Sequence, residues 1–132
     1  MELFNKKESN QLDFLDHQIN SEPSKESVNN QNKKIEKILI VDTETTGLDE
    51  NKDEVIEIGS ILFDVSHKCV LSQISFLFPV NSNEAEHVNG ISAEVTNISQ
   101  PWKDGLNFFL KLVDYSDFIV AHNVEFDKKW FG

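Results

Sequence analysis

Short apolar runs separated by polar turns begin at residue 37. Residues 37–43 (KILIVDT) form a continuous apolar run with β-branched side chains, which predicts a central strand covered on both faces. Residues 54–65 (EVIEIGSILFDV) and 69–80 (CVLSQISFLFPV) alternate in part and predict two further strands. Because the gaps between these runs are short, the three strands are expected to form an antiparallel meander.

The hydrophobic spacing changes from that of a strand to that of a helix after residue 81. Pro101 favours a helix start. The apolar residues that follow it have the spacing of an amphipathic helix, and packing in the core is a sufficient explanation for them: Trp102, Leu106, Phe109, Leu110 and Val113. Residues 117–121 (DFIVA) predict a fourth strand, and residues 125–131 the first turns of another helix. The helical crossover allows the fourth strand to run parallel to another. The pattern therefore predicts an α/β fold with a mixed sheet.

The first 36 residues differ from the rest in composition. They are rich in Asn, Ser, Gln, Lys and Glu and contain few apolar residues. Such a segment buries too little apolar surface to offset the entropy of ordering. We therefore expect a disordered polar tail at 1–36 and a single folded domain at 37–132, which is small for a self-standing core.

Charge and cysteine content narrow the functional classes. The net charge of −11 argues against a broad phosphate-binding surface, although bound divalent cations can invert the charge of a small site. The single Cys69 excludes an intramolecular disulfide and a multi-cysteine zinc site. No signal peptide and no apolar run of membrane-spanning length is present, so a cytoplasmic protein without membrane association is expected.

Two carboxylates lie at the end of the first predicted strand. Asp42 and Glu44 are two residues apart, so their side chains point to the same face. Unpaired, they would repel each other and raise each other's pKa, whereas a cation between them would relieve the repulsion. Oxygen ligands of this kind favour Mg²⁺ or Mn²⁺ over zinc. Alternatively, both are ordinary acidic residues of a strand end or turn.

Three separated motifs together resemble one enzyme family. LIVDTETTGLD, with Asp42 and Glu44, is similar to the first motif of the DnaQ-like, or DEDD, 3′→5′ exonucleases, and VIEIGSILFD follows it as in that family. HVNGIS, residues 87–92, resembles a middle element of the family. FIVAHNVEFD, residues 118–127, resembles the second motif, which ends in Asp127. The resemblance implies a ribonuclease H-like sheet of three antiparallel strands, a crossover helix and a parallel fourth strand.

The resemblance also implies roles for individual residues. Asp42, Glu44 and Asp127 would bind the two divalent ions, with Asp42 bridging them. The substrate would be the 3′ end of single-stranded DNA or RNA, hydrolysed by a two-metal mechanism. His122 is more simply explained as a structural histidine. The residues implied in substrate binding are Thr45, Thr46, Gly47, Leu48, His87 and Asn123.

The third motif of the family is not found in this sequence. That motif supplies a fourth carboxylate and, in the DEDDh branch, a histidine that acts as general base. We therefore expect the chain to be a C-terminally truncated, partial exonuclease domain with exposed apolar surface and weak or no activity alone, because loss of a catalytic group costs orders of magnitude in rate.

Other interpretations remain open at this stage. The chain could be a non-catalytic remnant that binds metal or single strands, or half of a split domain completed by a partner chain. It could also be an unrelated acidic interaction protein. The TETTGLD run is more similar to the polymerase-associated group. QLDFL, Gln11 to Leu15, resembles peptides that bind sliding clamps, although an incidental apolar patch in the tail is the favoured explanation. A DNA polymerase or a sliding clamp is therefore a possible partner.

Overall fold

The computed structural model describes residues 2–4, 35–98 and 100–131 of the chain. One five-stranded sheet forms the centre, with the strand order β1-β5-β2-β3-β4. The strands are β1 (Glu2–Phe4), β2 (Lys37–Thr45), β3 (Val55–Asp64), β4 (Cys69–Leu77) and β5 (Phe118–Ala121). The helices are α1 (Glu86–Asn89), α2 (Ala93–Thr96), α3 (Trp102–Tyr115) and α4 (Val124–Phe131).

The strand pairing confirms the predicted α/β fold. β2, β3 and β4 form an antiparallel meander, and β5 pairs with β2 in parallel after the crossover through α3. A crossover is required because parallel neighbours need a long connection between them. The arrangement is that of a ribonuclease H-like mixed sheet.

β1 is an element that the hydrophobic pattern did not predict. It pairs antiparallel with β5, with Leu3 opposite Val120, although residues 1–36 were expected to lack fixed structure. Three residues carry too little periodicity to reveal a strand, and the backbone hydrogen bonds offered by β5 explain its position. The expected tail is thus corrected at residues 2–4, and the clamp-like run Gln11 to Leu15 lies outside the described residues.

The sheet buries one face under α3. Alternate residues of β2 and β3, among them Leu39 and Ile58, are 0% and 1% exposed and pack with Leu106 and Phe109 of the helix. Full burial of one such side chain contributes about 1.5–3 kcal/mol. Gly105 permits the close packing, because a Cβ there would lie 2.8 Å from the ring of Phe76 on β4. The opposite face of β2 and β3 is only half-buried.

Asp117 fixes β5 beside the start of β2. Its carboxylate accepts hydrogen bonds from the backbone N–H groups of Glu36 and Lys37, both at 2.9 Å. Its own N–H donates to the carbonyl of Lys37 at 2.8 Å. These bonds set the parallel register, so the carboxyl ends of β2 and β5 meet at the same edge of the sheet. In the described ranges, no helix is both long and apolar enough to cross a bilayer.

Candidate active site at the carboxyl ends of β2 and β5

The end of β2 divides its side chains between two environments. Asp42 is exposed and Glu44 is half-buried on one face, whereas Thr43 and Thr45 are buried on the other. This division follows from the two-residue period of a strand. The predicted common face of Asp42 and Glu44 is therefore present in the structure.

Asp127 approaches β2 from the side of Thr43. It lies in the first turn of α4 and is 3% exposed. The Thr43 hydroxyl donates a hydrogen bond to Oδ1 of Asp127 at 2.8 Å. The carbonyl of Asn123 accepts from the N–H groups of Phe126 and Asp127, at 2.9 and 3.2 Å, and so begins the helix that carries this carboxylate.

The carboxylates at this edge influence one another. Burial, followed by the negative charges of Asp42, Glu57 and Asp127, raises the pKa of Glu44 above its usual range. Burial also raises the pKa of Asp127, against the hydrogen bond from Thr43 and together with the charge of Asp42. The structure thus brings the three sequence-predicted carboxylates within electrostatic range. In both carboxylates burial has the largest effect on the pKa, and the neighbouring negative charges add to it.

Glu57 is a participant that sequence reasoning missed. It lies directly opposite Glu44 in the β2–β3 pair, and the Ser75 hydroxyl donates a hydrogen bond to its carboxylate. Two acids in directly opposed positions of neighbouring strands repel each other. The signal was present in the second run, EVIEIG, but only the strand register shows which acid of β3 faces Glu44.

The donor set fits a hard divalent cation in its chemistry. Asp42 and Glu44 offer carboxylate oxygens on one face, the ligand type that Mg²⁺ and Mn²⁺ prefer. Across the described ranges, no group of three or more His, Cys, Asp or Glu side chains has the arrangement of a metal site. The hydrogen bond to Thr43 keeps Asp127 turned towards the threonine. We conclude that Asp42 and Glu44 form the accessible pair, with Asp127 held beside it.

The segment after β2, Thr45 to Leu48, forms a turn fixed by its own hydrogen bonds. The Thr45 hydroxyl donates to the Gly47 carbonyl at 2.5 Å. The N–H of Thr46 donates to the carbonyl of Glu54, while the N–H of Glu54 donates to the Thr46 hydroxyl, both at 2.9 Å. Leu48 at the tip is 78% exposed. An exposed apolar side chain on a fixed turn is well placed to contact a ligand.

Gly47 has a structural role beside the predicted one. A Cβ at this position would collide with the carboxylate of Asp53. That carboxylate accepts a hydrogen bond from the N–H of Asp49 at 2.8 Å and closes the turn. The resemblance implies Gly47 in substrate binding, and in this structure its lack of a side chain lets Asp53 approach.

The segment around α1 contacts the turn through Asn89, not through the predicted His87. The Asn89 side-chain amide donates to the Thr45 carbonyl at 3.0 Å. Its oxygen accepts from the N–H of Ile91 at 3.0 Å. His87 is exposed, with Nδ1 3.2 Å from the carbonyl of Glu84. Asn89 lies within the HVNGIS run, but a single asparagine gives no sign of which distant carbonyl it will reach.

The remaining predicted positions lie at the start of α4. Asn123 and His122 are both exposed between β5 and the helix. Asn123 follows the carboxyl end of β5, at the same sheet edge as Asp42, and its backbone carbonyl is engaged in the helix start.

A family comparison agrees with this arrangement. The sequence model of a family described as Exonuclease, abbreviated RNase_T, matches residues 39–131, which extend from β2 to the end of α4. The chain belongs to this exonuclease family. The match includes all three carboxylates at the carboxyl ends of β2 and β5.

Relatives of this chain include proteins named as DNA polymerase III or as its epsilon subunit. The chain is 38% identical over 100 residues to a DNA polymerase III subunit epsilon of Rickettsia prowazekii, which covers 71% of this chain and 42% of the relative. It is 35% identical over 99 residues to the epsilon subunit of Treponema pallidum, covering 69% of this chain and 42% of that protein. A DNA polymerase III of the PolC type from Thermotoga petrophila is 31% identical over 98 residues, which cover 70% of this chain and 7% of that protein.

A solved structure supports the fold assignment. The crystal structure of a full-length 3′-exonuclease superimposes with a TM-score of 0.52 and 14% sequence identity, covering 73% of this chain and 37% of the other. At this identity the likeness concerns the fold alone. The chain spans less than half the length of the epsilon subunits that it matches.

Proposed function

We propose that this chain carries the metal-binding side of a 3′→5′ exonuclease that hydrolyses phosphodiester bonds from the 3′ end of single-stranded nucleic acid. The observation that carries the proposal is the meeting of three carboxylates, from two separated exonuclease motifs, at one edge of the sheet. The raised pKa of Glu44, caused by burial and by neighbouring acids, supports a cation as the missing compensation.

Asp42, Glu44 and Asp127 would hold two Mg²⁺ or Mn²⁺ ions. When bound, such ions activate water and stabilise the charge that develops on the attacking and leaving oxygens. In this chain, Asp42 and Glu44 would supply the oxygen ligands from one face of β2. Thr43 positions the Asp127 carboxylate from the other face through its buried hydroxyl.

The turn formed by Thr45, Thr46, Gly47 and Leu48 would receive the 3′-terminal nucleotide. Its hydrogen bonds make it a preorganised surface, and Leu48 presents an apolar side chain to a base. The resemblance also assigns His87 and Asn123 to this pocket: Asn123 follows β5 at the same sheet edge, and His87 lies two residues before Asn89, whose amide contacts the turn. DNA is the favoured substrate, in proofreading or repair and beside a polymerase, because relatives are named as DNA polymerase III subunits.

The 132-residue chain is expected to have weak or no activity by itself. The motif that supplies the fourth carboxylate and the general base in the family was not found in the sequence, and loss of a catalytic group costs orders of magnitude in rate. The alternative is a module that binds metal or single strands without cleavage, or one that a partner chain completes.

The test measures metal binding and cleavage separately. Calorimetric titration with Mn²⁺ is expected to show binding that Asp42→Ala and Glu44→Ala weaken by at least tenfold, about 1.4 kcal/mol each. Asp104→Ala removes an exposed acid from α3 and should leave the affinity unchanged. Unchanged affinity in the Asp42 and Glu44 variants would contradict the site.

Cleavage is followed with a 3′-labelled single-stranded DNA oligonucleotide in Mg²⁺ or Mn²⁺. We expect little mononucleotide release from the chain alone. Robust release that Asp42→Ala abolishes would show that the chain is active without any partner. Activity that appears only after a C-terminal exonuclease fragment is added would support the completed-domain alternative.

A further inference from the structure

Two asparagine side chains form a hydrogen-bonded pair near the end of β2. The side-chain amide of Asn83 donates to Oδ1 of Asn89 at 2.9 Å and to the carbonyl of Ile91 at 2.7 Å. Its own Oδ1 accepts from the N–H of Ala85 at 3.0 Å. Both asparagines are half-buried. Asn83 therefore uses both ends of its amide to hold the segment that contains α1.

These bonds fix which end of the Asn89 amide faces β2. Oδ1 of Asn89 accepts from two donors, the amide of Asn83 and the N–H of Ile91. Because the oxygen is occupied by these donors, the amide nitrogen is directed to the other side. There Nδ2 donates to the carbonyl of Thr45 at 3.0 Å. The orientation of the contact with β2 is thus set in part by Asn83.

The bond to Thr45 lies where the β2–β3 ladder is irregular. The register shifts between Glu44 and Thr45, and such an irregularity disrupts regular pairing locally. The chain then enters the turn from Thr45 to Leu48, whose other hydrogen bonds join it to itself and to Glu54. The bond from Asn89 attaches the start of this turn to a second element, α1, which is distant in the sequence.

We propose that Asn83 is a positioning residue of the turn from Thr45 to Leu48, given the function proposed for that turn above. By orienting Asn89, it holds the turn in the form that receives the 3′-terminal nucleotide. A turn that is already fixed binds a ligand more tightly, because no binding free energy is used to order it. Asn83 acts through Asn89 and needs no contact with the nucleotide itself.

Asn97 provides a matched control for Asn83. Its side-chain amide also donates two hydrogen bonds to carbonyl groups, those of Val80 at 2.9 Å and Ala93 at 2.8 Å. These bonds lie at the end of α2 and do not involve the turn. Asn83→Asp and Asn97→Asp each replace the donating NH₂ group by an oxygen, with the same change of charge. Asn83→Ala and Asn97→Ala repeat the comparison without a charge.

Calorimetric titration with thymidine 5′-monophosphate in the presence of Mn²⁺ measures nucleotide binding without an internucleotide bond to cleave. Both Asn83 variants should bind this nucleotide about tenfold more weakly than wild type, and both Asn97 variants should bind it like wild type. Thermal melts establish that each variant is folded. The affinity for Mn²⁺ alone should be the same in all of these chains, because none of the substitutions removes a carboxylate.

Amide hydrogen exchange tests the mechanical part of the proposal. The N–H of Thr46 donates to the carbonyl of Glu54 and closes the turn. Its exchange should become faster in the Asn83 variants and stay unchanged in the Asn97 variants, because only the former loosen the attachment of the turn to α1.

The outcomes separate this role from the proposed function. Equal nucleotide affinity in the Asn83 and Asn97 variants, with Mn²⁺ still bound, would overturn the positioning role and leave the metal site standing. A wild-type chain that binds Mn²⁺ but not the nucleotide would also overturn the role. A wild-type chain that binds neither would overturn the proposed function and the role of Asn83 with it.

Discussion

The two ends of the β2–β3 pair place acidic residues in opposite surroundings. At one end, Asp64 lies opposite Lys37, whose Nζ is 3.4 Å from its carboxylate. At the other end, Glu44 lies opposite Glu57. The first end joins unlike charges across the ladder and the second joins like charges, within two strands of the same sheet.

The pKa values of the two acids move in opposite directions. At the first end, the backbone N–H and the ring of His67, followed by Lys37, hold the pKa of Asp64 well below its usual range. At the second end, burial and three neighbouring acids raise the pKa of Glu44. The first arrangement stabilises the fold. The second opposes it, which is expected where acidic residues serve a bound cation and not the folded chain.

Among substitutions at the two ends of the β2–β3 pair, Thr43→Val is expected to change the free energy of unfolding most. The substitution keeps the shape of the side chain but removes the donor to the buried Asp127 carboxylate. The free energy of unfolding should fall by about 1.5–3 kcal/mol, the usual contribution of a hydrogen bond to a charged group. Urea denaturation at neutral pH measures the fall. Thr43→Ser retains the hydroxyl and should lose less, whereas equal losses in both variants would show that the hydrogen bond is not responsible.

A smaller loss of stability is expected from Asp64→Asn, at the end of the β2–β3 pair where Lys37 and His67 compensate the acid. The folded-state pKa of Asp64 lies below its unfolded value, so its stabilisation is present above the unfolded pKa, about 4. It disappears as pH falls through the folded-state pKa. Asp64→Asn should therefore lower the Tm by a few degrees at pH 7, and the difference from wild type should shrink progressively below about pH 4. Thermal melts across this range measure it.

The smallest change in stability is expected from Glu44→Gln, which should stabilise the fold and not destabilise it. The folded-state pKa of Glu44 is raised, so the ionised side chain destabilises the fold above that pKa and ceases to do so once pH falls below the unfolded value. Removing the charge should stabilise the chain at neutral pH by about 0.2–1 kcal/mol, the range for like charges directly opposed across strands. Chemical denaturation at pH 7 in the presence of a chelator provides the measurement.

Adding divalent cations provides a second test of the Glu44→Gln prediction. Mn²⁺ should raise the Tm of the wild-type chain more than that of Glu44→Gln, because the variant has lost both the repulsion and a ligand. Glu94→Gln, which neutralises an exposed acid on α2, serves as the matched control. A Glu44→Gln chain less stable than wild type under chelation would contradict the assignment of this end as uncompensated.

Strands β2 to β5 were predictable because each has its own hydrophobic pattern in the sequence. The apolar runs at β2, β3 and β4, the amphipathic spacing of α3 and the short run at β5 are local patterns that burial on one or both faces requires. β1 was not predictable, because a three-residue strand held by the edge of β5 depends on backbone groups that every sequence possesses.

The candidate site also has some features that the sequence shows and others that only the folded structure shows. Asp42 and Glu44 share a face because they are two residues apart in a strand, and the motifs that contain them and Asp127 are visible in the sequence. The sequence does not show that Thr43 would donate to Asp127, which is 84 residues away. It also does not show that Glu57 would face Glu44, because a shift of one residue in the register would turn Glu57 to the other side of the sheet.

The sequence by itself determined the fold class, the family motifs and the three carboxylates, since local spacing and residue chemistry are sufficient for these. Only the tertiary structure decided which acids are compensated. Compensation depends in part on strand pairing between residues distant in the chain: Lys37 reaches Asp64, and Glu57 faces Glu44. His67 and Asp42 act on the same two acids from three and two residues away in the sequence. The electrostatic energy of an acid depends on those distances and on burial, and neither is encoded at a single position.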